Sequence, residues 1–489
     1  MMSARRWRAE QLIAQSELFS PAWYQTIYPD VRRAGIDPLQ HYLSHGAAEG
    51  RDPGPWFSAS VYAWRYPDVV QTGLEPLLHY LLVGRRLGRS GAPQGLPGKR
   101  RALPGKRRIL VCGHAAGTTL FGGERSLLDV LDGLIAIGFE PVVSVPQLRN
   151  PDYLQALTAR SMAVEYIPCP WWDERVPPAE AVVERFVGVI ERFRVGAVHV
   201  NTIMLREPLL AAQRMHIPGV VHVRELPSHD PALCDAIGAD SETIVASLAA
   251  RATHLIANSR FTASRLNSLA QVDVVPGRAP DFSAMLEQRS WCGRIKVGLI
   301  SSNTARKGVH DFIAVAQQLK RACPGARFLL IGPDNAVTEQ LKQRQSCGQL
   351  APNVVFAGYA QTPEAAVAQT HIVLNLSHVP ESFGRTVLEA MAAGRPVVAY
   401  EQGALPELVR SGVNGFLVPF GDMRRLVESV QALCNDARLR QRMGEAGRKM
   451  AAETYGFQAH CKALAAAYRR ILPPQRCEPA FAEGQGVEK

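Results

Sequence analysis

The sequence lacks the features that mark membrane-spanning and secreted proteins. It contains no apolar run of about 18 residues, the length that a transmembrane helix needs. Its N-terminal segment has no apolar core of the kind found in signal peptides. The nine cysteines are scattered from Cys112 to Cys477 without a Cys-x-x-Cys pair, which argues against a disulfide framework. We therefore predict a cytoplasmic protein with reduced thiols, whose contact with any membrane is peripheral.

Motifs of several other protein classes are also missing. There is no Asp-x-Asp in a suitable loop and no His and Cys cluster with metal-ligand spacing, so we expect no metal and no cofactor. Neither a Walker loop nor a G-x-G-x-x-G fingerprint is present, and ATPase and dehydrogenase functions therefore lack support. Zinc-finger spacing and RNA-binding motifs are absent as well, which argues against a nucleic-acid partner.

The chain is too long for one hydrophobic core. Single cores stop growing at roughly 250–300 residues, so a chain of 489 residues is expected to form two or three domains. Hydrophobic residues make up 47% and charged residues 20%, as in an ordinary globular protein. The net charge of +11 favours an anionic partner, unless the excess is simply spread over exposed Arg and Lys.

Residues 1–92 contain two copies of one sequence pattern, offset by 38 residues. Each copy includes Tyr-Pro-Asp-Val, His-Tyr-Leu and a closing Gly-Arg, and predicts short helices broken at Pro and Gly. His41 and His79 occupy the same position in the two copies. A histidine at a fixed repeat position is more simply explained by helix packing than by catalysis.

Residues 93–106 form a basic segment rich in Pro and Gly. Six basic residues fall within 99–108, and this composition predicts an exposed, flexible linker. The basic side chains could contact anionic lipid head groups, each contributing about 1 kcal/mol near such a surface. A solvated hinge is the alternative.

From residue 107 onward, short apolar runs alternate with helical patterns, which predicts parallel sheets covered on both faces. The predicted strands of the first set lie at 109–112, 141–145, 197–200, 220–223 and 255–257. After a break near 276–294, a second set lies at 295–300, 328–331, 354–356, 372–376 and 397–399. We predict an α/β fold of two Rossmann-like domains facing a cleft, 107–285 and 286–475, the second ending in a closing helix. A small all-α repeat region precedes them, and a tail at 476–489 follows.

Two glutamates eight positions apart are the most informative residues of the second domain. Glu381 follows a predicted strand, and Glu389 lies inside the next predicted helix, 385–392. The helix start after Gly384 offers unpaired N–H groups and a positive dipole end, which suit a diphosphate. Glycine there allows close approach of the ligand, and a carboxylate further along the helix can accept hydrogen bonds from sugar hydroxyls.

This segment resembles the E-x7-E signature of the retaining glycosyltransferase group 1 family. The stretches that follow it, 395–399, 403–407 and 412–418, match that family in order and spacing, and the resemblance covers about residues 107–470. It implies the two-domain GT-B fold and transfer of a sugar from a nucleotide-sugar donor with retention of anomeric configuration. The N-terminal copies resemble helical repeats fused to bacterial surface-polysaccharide glycosyltransferases, which implies a polysaccharide or lipid-linked glycan as acceptor.

The resemblance also implies a role for each matching residue. Glu381 would lie beside the hydroxyls of the donor sugar, close to the reacting carbon. Backbone N–H groups of Phe383 and Gly384 would hold the donor phosphate, and Glu389 would bind the ribose.

Lys307, in a Lys-Gly pair after the first strand of the second domain, matches the family's contact to the donor diphosphate. A cation there stabilises the charge that develops on the leaving group. The family often carries an arginine just after the same strand, where this sequence has Ser301 and Ser302. Arg306 is the candidate substitute.

The first domain supplies two further matches. Gly122 and Gly123 resemble the family's glycine-rich loop, which faces the donor phosphates and the acceptor, although paired glycines also suit a simple turn. His222 follows a strand at the expected cleft edge, where the family often has a histidine near the donor sugar; a structural histidine is the alternative.

Other assignments are less direct. The resemblance implies that Glu364 and the Gly358-Tyr359 loop lie near the nucleotide base. Asn201 and the segment 258–262 end strands and resemble the family's cleft-facing segments, but they suit helix caps equally well.

We therefore expect a glycosyltransferase in which Glu381, His222 and Lys307 are the catalytic groups. Front-face attack through an oxocarbenium-like ion pair, with the departing diphosphate taking the acceptor's proton, is the expected mechanism. Another enzyme of the same fold, such as a phosphorylase or an epimerase, is an alternative, but no cofactor-lysine motif is evident. A degenerate scaffold in a polysaccharide assembly complex is the other alternative, favoured by the serines at 301 and 302.

Overall fold

The computed structural model describes residues 10–93, 95–118, 120–266, 272–283 and 294–472. The predicted tail at 476–489 lies outside these residues, as do Cys292 and Cys477. No helix in the described part of the chain is long and apolar enough to cross a membrane.

The N-terminal region consists of two copies of a small helical unit. The first copy contains α1 (Pro21–Ile27), α2 (Pro29–Arg33) and α3 (Pro38–His41), which runs into a π-helical turn (Tyr42–Gly46). The second contains α4 (Ala59–Arg65), α5 (Asp68–Gln71) and α6 (Pro76–His79), with a π-helical turn at Tyr80–Gly84. Proline opens α1, α2, α3 and α6, where its missing N–H has no helical partner to lose.

The repeated histidines are packing residues, as the sequence pattern predicts. His41 and His79 are both buried. The Nδ1 atom of each lies 3.0 Å from a tyrosine hydroxyl, that of Tyr24 in the first copy and that of Tyr62 in the second. Both pairs lie in the interior of the helical unit, away from the cleft between the two later domains.

The first copy packs directly on the first α/β domain. Ile27 belongs to that domain's buried core, and Trp23 and Tyr28 pack against it. Gln147 of the domain donates a hydrogen bond of 2.5 Å to the backbone carbonyl of Glu49. The helical region is therefore anchored to the first domain through its first copy and through Trp64 of the second, which packs against the same domain.

The linker does not behave as a wholly exposed, flexible segment, and this expectation was wrong. Residues Leu96–Pro97 form strand β1, which pairs antiparallel with β4 (Ala163–Tyr166) at the edge of the first sheet. Arg100 donates two hydrogen bonds to the buried carboxylate of Glu140, and Lys106 lies 3.8 Å from the same carboxylate. Backbone pairing and a buried counter-charge hold the segment, although residues 101–106 remain exposed.

The first α/β domain is built on a parallel sheet that β1 extends by one antiparallel edge strand. The other strands are β2 (Arg107–Cys112), β3 (Phe139–Val145), β4, β5 (Ala197–Val200), β6 (Gly219–Val223), β7 (His254–Ala257) and β8 (Val272–Val274), in the order β1-β4-β3-β2-β5-β6-β7-β8. The α-helices are α7 (Gly122–Ala136), α8 (Pro151–Arg160), α9 (Glu180–Phe193), α10 (Glu207–Arg214), α11 (Pro231–Ile237), α12 (Ser241–Arg251) and α13 (Arg260–Ser264), with a 3-10 turn at Pro227–His229.

The second α/β domain repeats this plan with six parallel strands. They are β9 (Lys296–Ile300), β10 (Arg327–Ile331), β11 (Val354–Gly358), β12 (Ile372–Asn375), β13 (Val397–Tyr400) and β14 (Gly415–Val418), in the order β11-β10-β9-β12-β13-β14. The helices are α14 (Val309–Ala322), α15 (Ala336–Ser346), α16 (Pro363–Ala368), α17 (Arg385–Ala392), α18 (Leu405–Leu408), α19 (Met423–Asn435) and α20 (Ala437–Tyr455), with a 3-10 turn at Ala305–Lys307.

Both domains are doubly wound, and this confirms the predicted fold class. In each sheet the strand order reverses beside the first strand of the domain, between β2 and β5 and between β9 and β12. Ligands of such sheets bind at the carboxyl ends of the strands near that reversal. The ends of the predicted strands lie within two residues of the observed ends, whereas β1, β4, β8 and β14 were not predicted.

The last helix, α21 (Phe457–Ile471), leaves the second domain and returns to the first. Tyr468 of this helix is buried in the first domain's core, and its hydroxyl lies 2.8 Å from Nδ1 of His199 on β5. The two chain crossings between the domains lie side by side, since Ala279 N–H donates to the carbonyl of Tyr455 at 2.7 Å.

Candidate active site

A cavity of about 490 Å³ lies between the carboxyl ends of the two sheets. Both domains line it. The first domain contributes, among others, His114, Gly122, Gly123, Arg224, Glu225 and Asn258. The second contributes, among others, Ser301, Ser302, Lys307, Glu381, Phe383, Gly384, Arg385 and Glu389. Most of the residues singled out from the sequence therefore meet at one place.

Lys307 and Glu381 form an ion pair on the wall of this cavity. Lys307 Nζ lies 2.6 Å from Glu381 Oε1. Gly308, which follows the lysine, has φ of +75°, and a Cβ there would stand 1.9 Å from the carbonyl oxygen of Leu376. The Lys-Gly pair is thus needed because only glycine lets this turn pack against the end of β12 and place the lysine beside the loop that carries Glu381.

The backbone of Glu381 is held by a second glycine turn. Ala404 N–H donates to the Glu381 carbonyl at 2.9 Å. A Cβ on Gly403, where φ is +61°, would meet the backbone N and O atoms of Glu381 within 2.6 Å. The Gly-Ala stretch that matched the family pattern therefore fixes the position of the carboxylate.

Helix α17 begins with its N-terminus facing the cavity. Gly384 occupies the N-cap position with φ of +92°, and no side chain caps the helix. The first N–H groups thus remain open to a ligand, and the helix dipole favours negative charge at this end. A Cβ on Gly384 would stand 2.6 Å from Leu405 Cδ2. The Phe383 side chain is buried and packs edge-on against Tyr455, which leaves its backbone facing the cavity.

Glu389 lies one turn into α17 among charges from both domains. Arg385 Nε lies 3.7 Å from Glu389 Oε1, and Arg385 Nη1 donates to Asp129 of α7 at 2.8 Å. Burial raises the pKa of Glu389, and the nearby Arg385 and Arg125 guanidinium groups oppose that rise. Arg385 therefore connects the two domains beside the carboxylate, a role that the sequence analysis did not assign to it.

The paired glycines allow α7 to start close to its neighbours. A Cβ on Gly122 would lie 3.3 Å from the Arg385 side chain, and one on Gly123 would lie 3.2 Å from the His114 ring. Both glycines belong to the first turn of α7, whose N-terminus faces the same cavity as that of α17. They are thus more than a simple turn, because side chains here would crowd the cavity lining.

His222 does not line the cavity, contrary to the expectation that it faces the cleft. Its ring is buried beneath the cavity floor, 5.5 Å from the ring of His199, and its Nδ1 accepts from Arg224 Nη2 at 3.2 Å. Burial, followed by the positive charge of Arg224, holds the pKa of His222 well below its ordinary value. Because β6 ends at Val223, the next two residues, Arg224 and Glu225, are the ones that reach the cavity.

Three other predicted contacts lie outside the cavity lining. Arg306 lies outside the main cavity but lines a neighbouring pocket together with Lys307 and Glu381, and its exposed side chain lies 3.5 Å from Asp230. Gly358 bends the chain at the end of β11 with φ of +73°, and the next residue, Tyr359, faces the cavity instead. Glu364 is exposed on α16. The structure therefore does not place Arg306 in the main cavity, where it was expected to substitute for the arginine that the family often has.

His114 and Glu225 were not singled out for their chemistry. His114 Nε2 lies 3.4 Å from Glu225 Oε1, and Glu225 also accepts from the Thr202 hydroxyl at 2.6 Å. Burial opposes ionisation, but these hydrogen bonds hold the pKa of Glu225 below its ordinary value. Only their positions in the sequence could have indicated them, because His114 follows the end of strand β2 and Glu225 follows the end of strand β6.

Polar residues at the end of β7 join the two domains. Asn258 donates to the Ser382 hydroxyl at 3.1 Å, and the Ser259 hydroxyl donates to the Ser382 carbonyl at 2.6 Å. Ser259 also caps α13. The Glu407 carboxylate accepts hydrogen bonds from the backbone N–H groups of the first two residues of that helix, Arg260 and Phe261. Capping and cleft contact, the two alternatives for this segment, therefore occur together.

Asn201 supports Arg224, which lines the cavity. It is buried and accepts from Arg224 Nε at 2.9 Å. In the described part of the chain, no group of three or more His, Cys, Asp or Glu side chains could hold a metal ion.

The fold and the cleft together define a GT-B protein, and solved structures agree with this architecture. A structure of Anabaena HepE in complex with UDP-glucose matches with a TM-score of 0.60 at 21% identity, covering 74% of this chain and 99% of that one. A glycosyltransferase structure from Rickettsia africae matches with a TM-score of 0.60 at 17% identity, covering 76% of this chain and 99% of that one.

Residues 293–450, which span most of the second α/β domain, match the family described as Glycosyl transferases group 1. Among curated relatives, the 2-deoxystreptamine N-acetyl-D-glucosaminyltransferase of Streptomyces fradiae is 29% identical over 44% of this chain and 56% of its own length. A lipopolysaccharide core biosynthesis mannosyltransferase of Rhizobium meliloti is 32% identical over 29% of this chain and 40% of its own length. The chain spans about half the length of the curated relatives that it matches.

Proposed function

We propose that this protein is a glycosyltransferase that moves a sugar from a nucleotide-sugar donor to a glycan acceptor. The observation that carries the proposal is the single cavity that brings the Lys307–Glu381 ion pair, the open N-terminus of α17 and the Glu389 carboxylate together. The family match of residues 293–450 supports it independently.

The charges of the cavity suit a donor that carries a diphosphate. Lys307 and the uncapped N-terminus of α17 would face the phosphates, with Glu389 one turn further along for the ribose. Positive groups fixed before the reaction stabilise the negative charge of the departing diphosphate without reorganisation. Glu381, beside Lys307, would accept hydrogen bonds from hydroxyls of the transferred sugar.

We propose that transfer retains the anomeric configuration. The bond from the anomeric carbon to the diphosphate breaks, and the bond to the acceptor oxygen forms on the same face of the sugar. The acceptor's proton passes to an oxygen of the departing diphosphate. Glu381 positions the sugar in this scheme and forms no covalent bond to it.

Relatives support the choice of donor and acceptor. HepE binds UDP-glucose in its solved structure, which makes UDP-sugars the first donors to test. Relatives that act in lipopolysaccharide core and capsular polysaccharide biosynthesis favour a surface polysaccharide or lipid-linked glycan as acceptor. We place the reaction in the cytoplasm, where nucleotide sugars are made.

A panel of UDP-, GDP- and ADP-sugars tests the proposal. We expect at least one to raise the unfolding temperature and to undergo slow hydrolysis, and NMR of the released sugar to show the donor's anomeric configuration first. If none binds, the transferase function is wrong. If the inverted anomer forms first, retention is wrong while sugar transfer stands.

Glu381→Ala tests the assigned site, with Glu364→Ala as the matched control, since Glu364 is exposed outside the cavity. We expect the first variant to lose turnover while it remains folded, and the second to keep the turnover of the unchanged protein. Equal turnover in both variants would contradict the role of Glu381.

A scaffold without catalytic activity is the second candidate. Ser301 and Ser302 line the cavity where the family often has an arginine, which favours weak donor binding. Arg224 and Arg385, however, also line the cavity and supply positive charge that the sequence comparison did not reveal. Donor binding with no hydrolysis and no transfer to any glycan would favour the scaffold.

A further inference from the structure

The second helical copy carries an exposed surface that combines aliphatic and basic side chains. Leu82 is 40% exposed, Val83 38% and Leu87 62%, and the exposed arginines Arg85 and Arg86 lie between them in sequence. We call these five residues the aliphatic–basic face.

The five residues form one continuous surface. Leu87 N–H donates to the Val83 carbonyl at 3.2 Å, which places these two side chains one helical turn apart on the same side. Leu82 and Arg86 have the same separation along the helical segment, so they lie next to that pair. The face therefore presents a short aliphatic ridge with positive charge along it.

The first copy provides an internal comparison for this surface. The two copies share one scaffold, in which an arginine closes each copy by two hydrogen bonds to an aspartate, Arg51 to Asp30 and Arg89 to Asp68. At the positions that correspond to the aliphatic–basic face, the first copy has Ser44, His45, Ala47, Ala48 and Glu49.

At these positions the copies differ mostly in exposed side chains, of which Glu49 pairs with Arg51 Nε at 2.6 Å. Ser44, His45 and Glu49 are exposed, as are Leu82, Val83 and Leu87, and both copies form the same helix and π-helical turn. Exposed aliphatic residues are unfavourable in water unless something covers them. The second copy therefore has an exposed aliphatic surface that a binding partner would cover, and the first copy has no such surface at these positions.

We propose that the aliphatic–basic face docks this protein onto an anionic membrane surface. A short helix inserts aliphatic side chains at the boundary of head groups and acyl chains, while its arginines contact anionic head groups. Each arginine near such a surface strengthens binding by about fivefold. No aromatic side chain forms part of the face, although aromatic anchors dominate protein interfaces.

The basic linker is the weaker candidate for the same role. Arg100 and Lys106 face the single buried Glu140 carboxylate, which balances one of their two charges within the fold, whereas Lys99 and Arg101 are exposed. Arg85 and Arg86 are exposed beside aliphatic side chains. The second copy is the stronger candidate because it exposes three large aliphatic side chains, whereas the linker exposes only Leu103 among its described residues.

Sedimentation of the full chain with vesicles tests this proposal, and it needs no assay of activity. We compare vesicles of phosphatidylcholine with phosphatidylglycerol against vesicles of phosphatidylcholine alone. We expect binding to the anionic vesicles that falls as salt rises, since salt screens the arginines. Equal binding to both kinds of vesicle, or binding to neither, would overturn the proposal.

Two variants give the second copy the surface of the first. One combines Leu82→Ser, Val83→His and Leu87→Glu, and the other combines Arg85→Ala with Arg86→Ala. We expect each to lower binding to anionic vesicles at least tenfold while circular dichroism stays unchanged, because the first copy folds with these residues. Val413→Ser, at an aliphatic residue 52% exposed on the second α/β domain, is the control and should bind as before.

Light scattering after size exclusion separates a membrane contact from a protein contact. We expect one molecular mass for the unchanged protein and for both variants. If the unchanged protein self-associates and the triple variant does not, while neither binds vesicles, the face is a protein interface and the proposal is wrong. Unchanged vesicle binding by both surface variants would also overturn it.

Discussion

The two α/β domains share one strand order but offer the cavity different kinds of group. In the first domain, the polar residues that reach the cavity are satisfied by one another: Arg224 bonds to Asn201 and His222, and Glu225 bonds to Thr202 and His114. In the second domain, α17 presents an uncapped N-terminus.

This difference separates what the fold decides from what the loops decide. Strand order places the carboxyl ends of both sheets at the cleft, whatever residues follow them. The residues after each strand then make the first-domain wall a set of polar side chains bonded to one another, and the second-domain wall an uncapped helix start beside the Lys307–Glu381 ion pair. We infer that the second domain binds the charged diphosphate of the donor and that the first domain positions the acceptor that reacts with the donor.

The largest effect is expected from Lys307→Ala in the second domain. Removing a preorganised positive group from the leaving diphosphate should lower kcat by about 100- to 1000-fold. Steady-state donor turnover measures this loss. Arg306→Ala is the matched control, since the neighbouring side chain is 58% exposed and lies outside the main cavity. Equal losses of donor turnover in the two variants would contradict the separate role of Lys307.

Gly384→Ala and Gly122→Ala compare the helix starts of the two domains. Gly384 has φ of +92° and no room for a Cβ, whereas Gly122 has ordinary helical φ and a nearest contact of 3.3 Å to a flexible arginine side chain. We expect Gly384→Ala to lower the free energy of unfolding by about 1–3 kcal/mol, and Gly122→Ala to change it by less. Urea unfolding of both variants checks this, and a larger effect at Gly122 would contradict the comparison.

Glu225→Gln tests how much the hydrogen bonds of Glu225 stabilise the first domain. Loss of the charged acceptor for His114 and Thr202 is expected to cost about 1–2 kcal/mol of stability at neutral pH. The pKa of Glu225 is lower in the folded protein than in the unfolded chain, so its contribution is present above the unfolded value and is lost as pH falls through the folded value. Unfolding measured from pH 7 down to pH 3 should show the difference between variant and unchanged protein shrinking at acid pH. A difference that does not depend on pH would show that the charge is not what matters.

The smallest effect is expected from Tyr468→Phe, which removes one contact between the returning helix and the first domain. Its hydroxyl bonds to buried His199 at 2.8 Å, and its loss should cost about 1 kcal/mol. The change should appear in thermal unfolding and leave donor turnover within twofold. A large loss of turnover would mean that the contact controls the cleft and not only stability.

The sequence predicted the fold and the second-domain wall of the cavity well. Glu381, Gly384 and Glu389 follow a strand and start a helix, and such local order is enough to place them at the carboxyl edge of a sheet. Lys307 was placed with them because its Lys-Gly pair resembles the family's contact to the donor diphosphate. In each case, neighbours in sequence decide the position.

The first-domain wall was harder to predict because it depends on contacts between distant residues. His222 and Arg224 differ by only two positions, but the end of β6 decides that the histidine is buried and the arginine is not. His114 and Glu225 meet only after β2 and β6 are assembled with β5 between them. The linker was misjudged for the same reason, since its counter-charge, Glu140, lies on β3.

The paired chain crossings between the domains determine how the cleft can change width. Because Ala279 and Tyr455 are hydrogen-bonded to each other, both covalent connections run through one place at the side of the cleft. We expect any rotation of one domain relative to the other to pivot near this hydrogen bond, so that displacement grows with distance from it. Loops remote from the crossings travel farthest for a given angle, whereas Phe383, which contacts Tyr455, moves least. The start of α17 thus lies near the expected pivot, where such a rotation would change its geometry least.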